Sequence, residues 1–295
     1  MKDGDGSSGH TLPVTHDQNF VNPHSDPPAT ARHLLGSLWH NRRLILQMSK
    51  REVLGRYSGS WIGVHWAVVN PILMLIVYTF VFSVVFKARW GTPDETRSQF
   101  ALVLFVGLII HGLLAEVLSR APSLVLGNAN YVKKVVFPLE VLPVIATLAA
   151  LFHGAINLGV LLVAFVIMNG YLHWTVIFVP IVVLPLLVLA LGVAWWLASL
   201  GVFVRDVGQA IGLLITMLLF MSPIFYPISA LPEQFQPWMK LNPLTFIIEQ
   251  ARAVLIWGNP PDWVGWLLYS AAATFVAWVG FFWFQRTRKG FADVL

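Results

Sequence analysis

Residues 141–167 read VLPVIATLAALFHGAINLGVLLVAFVI, and residues 174–201 read WTVIFVPIVVLPLLVLALGVAWWLASLG; neither run contains Asp, Glu, Lys or Arg. A helix needs about 20 apolar residues to cross roughly 30 Å of hydrocarbon, and both runs exceed that. Four further stretches are also predominantly apolar, at about 62–86, 100–119, 208–222 and 263–284. The run at 174–201 is interrupted by Pro180 and Pro185, and the one containing QAIGLLITMLLFMS (209–222) is short. Both irregularities are tolerable where neighbouring helices or a cavity satisfy the freed backbone groups. The pattern predicts an all-α membrane protein with six transmembrane helices.

Composition agrees. The 295 residues are 57% hydrophobic and 11% charged, with a mean hydropathy of +0.71, whereas a soluble domain carries roughly 25% charged residues. The net charge of +5 could suggest nucleic acid. Its basic residues, however, sit between apolar runs and form no stripe with interleaved aromatics, so no nucleic-acid partner is expected. With no cysteine there is no disulfide framework and no thiolate metal site. Residues 1–31 are rich in Gly, Ser, Asp and Pro, lack the apolar core of a signal peptide, and are expected to form a disordered cytoplasmic tail. The remainder, 32–295, is expected to be one membrane domain. His10, His16 and His24 show no metal-ligand spacing, and no metal site is expected.

Six crossings put both termini on one side. Of the 19 Lys and Arg residues, Lys87, Arg89, Arg97, Lys240 and Arg252 then fall outside, leaving 14 inside. The positive-inside rule therefore places both termini in the cytoplasm.

Two segments have helical periodicity without the length to span. In 32–54, RHLLGSLWHNRRLILQMSKREVL, Leu35, Trp39, Leu46 and Val53 follow one helical row and Leu34, Leu38 and Ile45 another, with basic residues elsewhere. This predicts an amphipathic helix lying on the inner membrane surface. In the outer segment 223–262, residues 244–257 place Thr245, Glu249 and Arg252 on one face, and Glu249 and Arg252 are spaced i, i+3 for pairing. Four prolines, at 223, 227, 232 and 237, break the approach to it. A re-entrant outer helical hairpin between spans five and six is expected.

Catalytic signatures do not occur. There is no G-x-x-x-x-G-K-[ST] phosphate loop, no H-E-x-x-H and no G-x-S-x-G. Polar residues within the spans are few: His65, Asn70, His111, Glu116, His153 and Asn157. Glu116 and Arg120, at i, i+4, read as a boundary ion pair. Aromatic residues are abundant near the outer end. Many suit the bilayer interface, but Phe225, Tyr226, Trp238 and Phe246 are also candidates for a lining on which sugar rings slide.

Five collinear motifs carry a family resemblance. GRYSGSWIGVHWAVVNPILMLIVYTFVFSVVF (55–86), NANYVKKVVFPLEVLPV (128–144), FVRDVGQ (203–209), SPIFYPIS (222–229) and LNPLTFIIEQAR (241–252) resemble polysaccharide-export permeases of the ABC-2 type. The resemblance implies a transport subunit and not an enzyme, in a homodimer in the bacterial inner membrane, joined to two separate ATPase chains that bind ATP and Mg. No cofactor is then expected in this chain. It implies a lipid-linked polysaccharide as cargo, closer to O-antigen or teichoic acid than to capsule. Its phosphate would be drawn to Arg42, Arg43, Arg51 or Arg56. The nucleotide cycle would be transmitted through the helix 32–54 and residues 128–138, with Tyr131, Lys133 and Lys134 as contacts. Three rival readings stay open: a related permease for a drug or other small molecule, an intramembrane glycosyl or acyl transferase, and an ATP-independent carrier.

Overall fold

The computed structural model describes residues 30–85, 90, 97–134 and 137–295, and among these there is no strand. The expected tail at 1–31 falls almost wholly outside the described residues. The helices, in chain order, are α1 (Ala31–His40), α2 (Arg42–Arg56), α3 (Trp66–Tyr78), α4 (Arg97–Arg120), α5 (Ala129–Lys134) and α6 (Val141–Asn169). They continue with α7 (Val179–Phe203), α8 (Val207–Phe220), α9 (Gln236–Leu241), α10 (Pro243–Leu255), α11 (Trp263–Thr287) and α12 (Phe291–Val294).

Among the described residues, five helical stretches are long and apolar enough to cross a membrane: Gly63–Phe82, Gln99–Ser123, Val141–Asn169, Trp174–Phe203 and Trp263–Val294. The sixth expected span is α8, whose 14 residues reach only about 21 Å at 1.5 Å per residue. Local signals set the boundaries. Gly170, at φ +76°, ends α6 in the left-handed conformation that suits glycine. Asp262 caps α11 by accepting from the backbone N–H groups of Val264 and Gly265 at 3.1 Å. Asn242 caps α10 in the same way, through Leu244 N–H, with Pro243 in the first turn.

Helix α4 runs through the centre, with most of its apolar stretch buried, whereas α3 keeps only a small part of its surface covered. Apolar side chains gain little by leaving lipid for protein, so close packing must hold such helices together. The backbones of α7 and α11 touch through Gly192 and Gly280: a Cβ on Gly280 would lie 2.0 Å from the Gly192 carbonyl oxygen. Likewise a Cβ on Gly201 would lie 2.1 Å from Pro122 O, which seats the end of α7 beneath α4.

The segment expected as one surface helix is two. Asn41 separates α1 from α2, and its side chain donates to Ser37 O at 2.8 Å. Leu34, Leu38 and Ile45 of one row pack inward; of the other row Leu35, Trp39 and Leu46 stay exposed and only Val53, at its far end, is buried. Helix α2 packs along α6. Ser37 bonds Glu140, just before α6, and Arg56 reaches His153 thirteen residues on, about 20 Å along the α6 axis. The pair thus climbs α6 instead of crossing its foot.

Residues 223–262 do not form an open loop. Both α9 and α10 are helical, and α10 packs against α4 and α7. Its expected polar face is turned inward, with Thr245 and Arg252 buried.

Candidate functional site

The end of the bundle that carries α1, α2 and the carboxyl terminus holds a cavity of about 740 Å³ with charged side chains in its wall. It is lined from α2 by Glu52, Gly55 and Arg56, from α4 by Ala115, Glu116, Ser119 and Arg120, and from α8 by Gly212 and Ile215. Glu116 is the centre of its ionic network. Its carboxylate accepts from Arg56 at 2.7 Å and lies 3.8 Å from Arg120 and 2.8 Å from His153 Nδ1. Arg120 also pairs with Glu52. Protonated at Nδ1, His153 donates to Glu116; with that nitrogen bare it accepts from Arg56, 3.2 Å away. Tyr57 meets the His153 ring edge-on. Burial pushes its hydroxyl pKa up, against the Arg56 charge and with that of Glu116, so it remains a donor at neutral pH.

Of the four basic residues singled out in sequence, only Arg56 lines this cavity. Arg42 folds back onto Trp39, donating to its carbonyl at 2.8 Å with the guanidinium 4.9 Å from the ring centroid. Arg43 is exposed, and Arg51 lines a neighbouring cleft with Gln47 and Lys50. Arg120 and Glu52 take the remaining places. The sequence signal for them is two i, i+4 acid–base pairs, Glu52 with Arg56 and Glu116 with Arg120, which face each other across the cavity.

At the foot of the bundle Tyr131 stacks on Phe137 with centroids 4.6 Å apart. Lys133 and Lys134 belong to α5, but their side chains lie outside the described residues. Beside them is a buried carboxylate that no sequence pattern singled out: Glu140 accepts from Ser37 Oγ at 2.8 Å and pairs with Arg288 at 3.0 Å.

The opposite end holds Arg252 and the aromatics. Arg252 is fully buried and donates to Val103 O (3.1 Å), Pro223 O (2.6 Å) and Ile224 O (3.2 Å), and it pairs with Glu249 at 2.9 Å. The Trp90 ring covers the guanidinium at 4.2 Å. Burial pushes its pKa down to about 10, opposed by Glu249, so it stays charged at neutral pH. Phe225 stacks between Phe82 and Phe220, at 5.9 and 5.8 Å. The neighbouring Tyr226 hydroxyl donates to Phe220 O at 2.7 Å. Phe246 lies elsewhere, stacked on Tyr269 against α11, and Trp238 is largely exposed on α9. The four candidate aromatics therefore do not form one lining; Phe82 and Phe220 join Phe225 and Tyr226 instead. Within the spans, His111 Nε2 meets Ile215 O at 3.1 Å and ties α4 to α8.

Across residues 43–256 the sequence matches the pattern of the ABC-2 type transporter family. The chain belongs to that family. It is a multi-pass transporter subunit, which removes the transferase reading. An O-antigen export system permease protein, RfbA, of Myxococcus xanthus is 26% identical over 262 residues, covering 88% of this chain and 98% of that protein. The RfbA permease of Klebsiella pneumoniae is 26% identical over 255 residues, covering 85% and 95%. The polysialic acid transport protein KpsM of Escherichia coli is 25% identical over 231 residues, covering 77% and 86%.

Proposed function

We propose that this chain is the transmembrane subunit of an ABC exporter that carries a lipid-linked polysaccharide, O-antigen-like or teichoic-acid-like, across the bacterial cytoplasmic membrane. The observation that carries this reading is the alignment, over nearly the whole of both chains, with a permease of O-antigen export. Two copies of the chain work with two separate ATPase subunits, which supply ATP hydrolysis and its Mg. In this arrangement α8 is the sixth crossing, and its shortness is accommodated by protein contacts at its ends. The excess of basic residues on α1 and α2 and before the carboxyl terminus supports a cytoplasmic location for both termini.

The lipid phosphate enters at the cavity, where Arg56 and Arg120 offer planar donor forks that match phosphate oxygens. Their present partners, Glu116 and Glu52, hold the guanidinium groups in place until the anion arrives. Arg42, Arg43 and Arg51 raise the local positive potential outside the cavity. The glycan then passes Phe225, Tyr226 and Phe220, whose ring faces contact sugar C–H faces without fixed hydrogen-bond register; Trp238 and Phe246 flank that route. Helices α9 and α10 form the re-entrant outer gate, and the exposed row Leu35, Trp39 and Leu46 anchors α1 and α2 at the membrane surface. The ATPase engages α5 through Tyr131, Lys133 and Lys134. Deletion of the gene tests the reading: surface glycan is expected to be lost while lipid-linked polymer accumulates in the cytoplasm. Unchanged surface glycan with no internal polymer would sink it.

A further inference from the structure

Three segments remote in sequence meet at Glu140, which is 3% exposed. Its carboxylate accepts from Ser37 of α1 at 2.8 Å and from Arg288, just beyond α11, at 3.0 Å. Its backbone oxygen accepts from the Trp195 indole of α7 at 3.0 Å. Arg288 reaches further and donates to Phe137 O at 2.9 Å, and the Phe137 ring stacks on Tyr131 of α5. Helix α12 packs on α5 beside them. A buried ion pair contributes little net stability, because desolvation offsets the attraction and apolar residues of similar volume often serve as well. Stability alone gives no reason for a carboxylate here.

The placement gives one. Glu140 is at the foot of α6, and the α1–α2 pair climbs α6 from that foot to the cavity. Its lower end is pinned by Ser37 to Glu140; its upper end is pinned by Arg56 to Glu116 and His153. The same upper turns, Glu52, Gly55 and Arg56, form one wall of the cavity. A displacement of α5 therefore has a continuous route of contacts to that wall: the Tyr131–Phe137 ring stack, then the hydrogen bonds of Arg288, Glu140 and Ser37, then the strut.

We propose that the Glu140–Arg288 pair is the joint through which movement of α5 is delivered, along the α1–α2 strut, to the cavity. Glu140, Arg288 and Ser37 are positioning residues: none touches cargo or nucleotide. The inference rests on the export reading above, and requires that the joint be made differently in the two states of the transport cycle. An ion pair of fixed geometry supplies such a two-state contact where apolar packing would slide.

The test uses the full permease with its ATPase. Glu140→Gln keeps the shape and an acceptor for Ser37 but removes the ionic tie; Ser37→Ala leaves the pair and frees the strut. Each variant replaces the chromosomal copy, and surface glycan is measured beside ATP hydrolysis of the complex in vesicles of host lipid. The expectation is hydrolysis within about twofold of the parent, with surface glycan down about tenfold for Glu140→Gln and about threefold for Ser37→Ala, in the range of typical coupling energies. Parental glycan per ATP in both variants overturns the joint. Should Glu140→Gln fail to accumulate in the membrane, Ser37→Ala decides alone, since it removes a single hydrogen bond. Deletion of the gene with no change in surface glycan would instead overturn the export reading.

Discussion

Replacing Arg252 with methionine removes the pin that holds the chain segment before α9 to α4. The wild-type guanidinium satisfies the carbonyls of Val103, Pro223 and Ile224 and neutralises Glu249, all from a side chain with no exposed surface. Methionine fills similar volume, so the cavity penalty is small. The cost comes from the groups left behind. A buried acceptor without a donor costs about 1–3 kcal/mol, but a carbonyl has a second lone pair and some of these bonds find other donors. Glu249 is a third exposed and re-solvates, which limits its share. The sum is roughly 3–5 kcal/mol, in line with breaking a buried charge pair from one side. For a domain of this size that corresponds to a fall in Tm on the order of 10 °C. Melting of the purified permease in detergent, followed by tryptophan fluorescence, reads it directly. Arg252→Lys keeps the charge but cannot reach all four acceptors, and is expected to fall between the two. A methionine variant melting within about 2 °C of the parent would refute the assignment of Arg252 as a structural pin.

Glu116→Gln leaves the cavity shape intact, and because Arg56 is half exposed the stability change should stay below about 1 kcal/mol. Export should nevertheless fall several-fold, as surface glycan would report, because Arg56, Arg120 and His153 lose their common partner. Gly280→Leu places side-chain atoms where the Gly192 carbonyl already is. It should cost about 3 kcal/mol or abolish membrane accumulation, whereas Gly112→Ala, with open space around its Cβ, should melt like the parent. Phe225→Ala removes the middle ring of a three-ring stack and is expected to cost about 2 kcal/mol. Phe225→Leu should recover most of that stability; export that stays low in the leucine variant separates a ring contact with cargo from packing. Tyr226→Phe loses only the bond to Phe220 O, about 1 kcal/mol by melting.

How much of this was legible differs between elements. The helix content and the long spans follow from uninterrupted apolar runs, since a bilayer imposes a minimum length on each. The i, i+3 pair Glu249–Arg252 and the i, i+4 pair Glu116–Arg120 were also legible, because such partners are neighbours on any helix. Asn41 was not: nothing in the periodicity of 32–54 announces a break there. The two apolar rows of that segment were visible, yet not which of them faces protein, because lipid and a protein core attract the same side chains. The aromatic candidates were chosen by type and region, and only two of the four share a cluster.

By itself, then, the sequence determined a helical membrane protein, the approximate limits of its spans and the charge asymmetry between its two ends. These depend on local composition and on the thickness of the bilayer, both of which act residue by residue. Tertiary structure alone decided that Glu52, Arg56, Glu116 and Arg120 share one cavity with His153 bonded to Glu116, that Arg252 reaches back to the α4 backbone, and that Ser37 and Arg288 meet at Glu140. Those contacts join positions up to 149 residues apart. Their formation depends on how helices pack, through close approaches such as Gly192 on Gly280, and no periodicity within a single helix encodes it.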